Sequence, residues 1–86
     1  MIIPTLHLNG SGYKNLTDQY RAAYTAVNHA IEELTQIAPH GRDYYIQNDP
    51  AAYTKARGEH LDRLTRLQTV ADELLALYQA VEAQEH

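Results

Sequence analysis

One pattern constrains this chain more than any other: an apolar stripe at helical spacing, running through Leu16, Tyr20, Ala23, Val27, Ile31, Leu34 and Ala38. Its steps of three and four residues keep one face of an α-helix apolar throughout. Tyr24, Ala30 and Ile37 widen the face. Pro39 then stops the helix, because its ring and missing N–H cannot continue the hydrogen-bond ladder. The stripe therefore predicts a first helix over 12–38. Ser11 stands at the N-cap position, and Asp18 lies near the positive end of the helix dipole.

A second stripe passes through Tyr53, Ala56, His60, Leu64, Leu67, Ala71, Leu74, Tyr78 and Val81, and Leu61, Val70, Leu75 and Leu77 broaden it. Asp49-Pro50 pairs a capping residue with a proline at the first helical position, so the second helix is predicted over 50–84. Gly58 lies inside it at a cost of about 1 kcal/mol relative to Ala. It marks a kink, a break or a close helix crossing. Between the helices, 39–49 form a loop longer than the usual helix–helix connection, which favours a functional role for it. In 1–10, Leu6 and Leu8 alternate with His7 and Asn9 as in a strand, Pro4 disfavours helix, and Gly10 ends the segment. The expected fold is all-α, a single domain over 1–86. It is a two-helix antiparallel hairpin with a short extended N-terminal arm.

With only 86 residues, a lone hairpin buries one face of each helix and is marginal. Assembly into a homo-oligomeric helical bundle is therefore expected. Hydrophobic residues at 44% and charged residues at 21% exclude a disordered chain. The absence of cysteine excludes disulfides, thiol nucleophiles and thiolate metal sites. A net charge of −4 argues against direct DNA binding and against anionic membranes. No apolar run spans a bilayer, and Met1-Ile2-Ile3-Pro4 lacks the signal-peptide pattern, so a cytoplasmic location is expected.

Five histidines raise the question of metal. His29-x-x-Glu32 runs opposite to the helical di-iron motif, and Glu59-His60 are adjacent rather than one turn apart. No metal site is expected; His29 and His60 are read as structural, His60 as a stripe residue with its ring nitrogens satisfied locally. Ser11 is the sole serine and sits in no nucleophile elbow, and no phosphate-binding glycine loop is present. Glu32-Glu33 and Asp72-Glu73 are consecutive on helices, so their side chains diverge. The chain is expected to be no enzyme and to need no cofactor.

All seven aromatic residues are tyrosines, suited to half-buried core edges or to stacking on a ligand. In the loop, Arg42, Tyr44 and Tyr45 lie beside His40 and Asp43. The guanidinium offers a fork for phosphate, and the phenols offer faces for a base. The alternative is that Arg42 pairs with Asp43 or a helix C-terminus while the tyrosines plug the open end of the hairpin. In the arm, His7 and Asn9 form a polar clamp beside Gly10, or else belong to an edge strand or hydrophobic staple.

Pro4 to Gly10 (PTLHLNG), Ala38 to Tyr45 (APHGRDYY) and Glu59 to Leu64 (EHLDRL) resemble a family of small phage- and prophage-encoded proteins. The resemblance implies an accessory role in the cytoplasm of an infected bacterium. Small oligomeric phage proteins often counter host defence by sequestering a nucleotide signal or blocking an effector. The leading expectation is thus a homo-oligomer that binds a phosphorylated, nucleotide-type small molecule through Arg42, Tyr44, Tyr45, His40, His7 and Asn9. One alternative is a protein-interaction inhibitor of a host defence protein, although Lys14, Arg21, Lys55, Arg57, Arg63 and Arg66 interrupt any acidic face. The other is an assembly accessory of the phage particle. The arm and the loop fall at opposite ends of a hairpin, so they share a site only if the arm folds back or another subunit supplies one half, as antiparallel two-fold packing of two chains does.

Overall fold

The computed structural model describes residues 1–6, 12–37, 39 and 51–84. Two helices pack against each other, α1 (Tyr13–Thr35) and α2 (Ala52–Glu82), and no strand occurs among the described residues. The molecule is a rod of 61 × 20 × 17 Å.

Both helices are shorter than the stripes suggest, for reasons visible at their ends. Gly12, with φ −67° and ψ 157°, occupies the N-cap of α1: its carbonyl accepts from Leu16 N–H at 3.0 Å, and glycine has no side chain to make a cap hydrogen bond. Ser11, expected as the cap, lies outside the described residues. At the far end Gln36 N–H donates to Glu33 O (3.2 Å) and Ile37 N–H to Leu34 O (3.1 Å), so the last turn tightens to i→i+3 spacing. Pro39 disfavours helical backbone in the residue before it, and α1 winds down ahead of it. The helix stops at Thr35 and not at 38. Helix α2 starts at Ala52, two residues after the expected Pro50, with Ala51 at φ −94° and ψ 2° in the N-cap position, its carbonyl accepting from Lys55 N–H at 2.9 Å. Asp49 and Pro50 lie outside the described residues.

The antiparallel register is set by a contact near the arm. Arg21 Nη2 donates to the Tyr78 hydroxyl at 3.0 Å, and the guanidinium carbon sits 5.6 Å from the Tyr78 ring centroid. That hydrogen bond raises the already high pKa of Arg21 further, so the cation persists at any working pH. Carried along both helices, this register leaves the first turns of α2 running beyond the end of α1. At the other end the arm is pinned by one side chain. Gln84 Oε1 accepts from Leu6 N–H at 2.9 Å, and Gln84 Nε2 donates to Pro4 O at 2.7 Å.

Burial is thin. Among the described residues only Ala71, Val81, Thr17 and His60 are buried. The stripe residues Leu16, Val27, Ile31, Leu34, Leu64, Leu67 and Leu74 remain half-buried. Thr17 is accommodated because its hydroxyl donates back to Tyr13 O (2.9 Å) and Lys14 O (3.1 Å). Exposed i, i+4 pairs decorate the outer faces: Arg66–Asp62 at 3.0 Å, Arg63–Glu59 at 3.9 Å and His29–Glu33 at 3.9 Å.

Gly58 neither breaks α2 nor permits a close crossing. The helix runs unbroken through it, and a Cβ built there meets nothing within 4 Å. Gly58→Ala is therefore expected to stabilise the protein by about 1 kcal/mol, the usual helix-interior difference between the two residues. Urea unfolding followed by circular dichroism checks this; a lowered midpoint would contradict it.

Candidate functional site

Six residues expected to bind ligand, His7, Asn9, His40, Arg42, Tyr44 and Tyr45, lie outside the described residues. The structure does define the two ends between which they are distributed. The arm end holds Pro4 and Leu6 on Gln84, beside the start of α1. The loop end is where α1 stops and α2 starts. The 23 residues of α1 separate the two by about 34 Å at 1.5 Å per residue.

At the loop end the helices form an open groove of about 320 Å³ lined by Leu34, Arg63, Arg66 and Leu67. Leu34 comes from the last full turn of α1. Arg63 and Leu67 lie four residues apart on α2 and Arg66 three after Arg63, so helical spacing alone brings them to one side. The result is an apolar floor with two guanidinium groups on its rim.

Neither arginine is strongly held. Arg63 meets Glu59 at 3.9 Å and Arg66 meets Asp62 at 3.0 Å, with all four side chains more than half exposed. Exposed pairs of this kind are worth about 0–1 kcal/mol, so an incoming anion can take over a guanidinium at small cost. Arg63, with the longer pairing, is the more available. The sequence treated both arginines as scattered positive charges. Their spacing was visible, but Leu34 joins them only once the interhelical register is known.

His60 departs from expectation in one respect. It is 6% exposed, as its place in the stripe suggests, yet its Nε2 finds no hydrogen-bond partner among the described residues. The ring nitrogens are thus not all satisfied locally. His60 does not line the groove. His29 is exposed and 3.9 Å from Glu33. Among the described residues no three His, Asp or Glu side chains are grouped as metal ligands, and no helix is long and apolar enough to cross a membrane.

Comparison with protein families, with characterised proteins and with solved structures gives no match to this chain.

A buried polar atom without a partner costs about 1–3 kcal/mol, whereas an apolar replacement of similar size removes that penalty. His60→Leu is accordingly expected to raise the unfolding midpoint. A fall in stability would show that Nε2 is bonded in solution and that His60 is needed as a polar anchor.

Proposed function

We propose that this chain is a self-associating binding module without catalytic activity, which sequesters a phosphorylated, nucleotide-type small molecule at its loop end. The observation that carries this reading is the groove of Leu34 and Leu67 rimmed by the loosely paired Arg63 and Arg66. It adds two cations and an apolar platform at the end from which the segment bearing His40, Arg42, Tyr44 and Tyr45 departs. Guanidinium groups recognise phosphate through paired N–H donors, and an apolar floor suits the flat body of a base. Self-association supports the same reading, because a two-helix rod alone offers no enclosed site. With the resemblance to phage accessory proteins, the role we propose is removal of a defence signal in an infected bacterium.

A protein target is the second reading. It is favoured by Ile37, Tyr53 and Leu61, large side chains left exposed toward the loop end. Exposed apolar side chains suit a partner protein better than a nucleotide.

Native mass spectrometry of the protein with a panel of cyclic and ADP-ribose-type nucleotides separates the two. Under the leading reading one class of nucleotide is retained. Arg42→Ala and Arg63→Ala each weaken it by about 1.5–3 kcal/mol, the worth of a charge-assisted hydrogen bond, while helicity is unchanged. Binding of none of the panel favours a protein partner. In addition, Leu74→Asp is expected to abolish assembly and reduce helicity, since an unpaired charge in an apolar seam costs several kcal/mol; sedimentation velocity and circular dichroism read both effects.

A further inference from the structure

We propose that a second copy of this chain covers one particular face of the hairpin. In this packing α2 lies antiparallel to the partner's α2 about a two-fold axis at Val70. The inference rests on the self-association proposed above and specifies its surface.

Surface area calls for a large partner. A compact monomer of 9.8 kDa exposes about 5,200 Å², by the usual scaling of surface with mass, yet this chain exposes 6537 Å². The surplus exceeds the roughly 800 Å² that each protomer contributes to a standard interface. A second hairpin, completing a four-helix bundle, is the occupant of matching length and shape.

The side chains identify the face. The groove places Leu34 of α1 and Arg63, Arg66 and Leu67 of α2 on the same side of the rod. Followed toward the arm end at helical spacing, that side carries Ala30, Ala26 and Ala23 on α1, and Val70, Leu74 and Leu77 on α2. Val70 is 41% exposed, and Ala26 and Ala30 are exposed. The alanines allow a neighbouring helix to approach closely. On the opposite side, polar groups intervene: Arg21 with Tyr78, Asn28 bonded to Tyr24 O, and Gln68 bonded to Asp72.

Charge fixes the orientation. Arg66 lies four residues before Val70 and Glu73 three residues after it, both exposed. Glu73 has no ion-pair partner among the described residues. Antiparallel packing centred on Val70 brings Arg66 opposite the partner's Glu73, and the two-fold axis repeats the pair. Parallel packing would instead set like charges together.

This arrangement completes the loop-end site from both chains. Gln84 and Ala56 are equidistant from Val70, each about 21 Å away at 1.5 Å per residue. The partner's Gln84, with the arm pinned to it, therefore comes level with Ala56, at the loop end. Each dimer gains two equivalent composite sites, with an arm from one protomer and Arg63 from the other.

The natural chain has no cysteine, so Val70→Cys introduces a single reporter thiol. At micromolar concentration a short bismaleimide is expected to link most of the Val70→Cys protein into covalent dimers. Thr65→Cys, on the far side of α2, is expected to link little. Glu73→Arg should weaken dimerisation at least tenfold by sedimentation equilibrium, and combining it with Arg66→Glu should restore it at unchanged helicity. Dimeric wild-type protein whose Val70→Cys variant resists linking, with no charge-swap rescue, overturns this packing while leaving self-association intact. Monomeric wild-type protein at high micromolar concentration overturns both.

Discussion

Everything in this molecule depends on the antiparallel contact between two apolar stripes that are each wider than the strip of surface they share. One helix covers roughly one side of its neighbour, and Ala71 and Val81 are the only apolar residues that the contact removes fully from water among the described residues. Burial contributes about 25 cal/mol per Å² of apolar surface, so half-covered leucines contribute only part of their potential. The hairpin consequently leaves much of both stripes only half covered. Its electrostatics are equally local: Arg63–Glu59, Arg66–Asp62 and His29–Glu33 run along single helices, while Arg21 and Tyr78 form a polar link between α1 and α2.

The parts of the fold that were legible in the sequence are those governed by neighbours along the chain. Helical periodicity reveals both helices, and Pro39 locates the end of α1 to within one turn because its steric effect acts only a few residues back. The burial of His60 follows from its place in the stripe. What escaped notice depends on register. Leu34 meets Arg63 and Leu67 only after two helices have been aligned, and Gln84 reaches Leu6 across nearly the whole chain. Gly58 carried an ambiguity that spacing alone could not resolve, since a kink, a break and an open surface all tolerate glycine. The expected ligand residues in the arm and the loop lie outside the described structure, so the groove came from geometry rather than motif.

The loop-end groove and the open face are two aspects of one shortage of buried surface. The groove lies where α1 ends against α2, lined by Leu34 from one helix and Arg63, Arg66 and Leu67 from the other. Its arginines remain solvent-exposed, held by carboxylates one turn away rather than by a packed interior. A site built this way exchanges partners readily, since releasing an exposed ion pair costs little.

The attachment of the arm also has a consequence for the order in which the molecule can be made. Leu6 is anchored by a residue 78 positions further along the chain, in the turn that follows α2. During synthesis, the bonds that Pro4 and Leu6 make to Gln84 cannot form until that turn emerges. A chain that stops short of Gln84 carries the arm without this clasp, so the fold ties one segment to the arrival of another far along the chain.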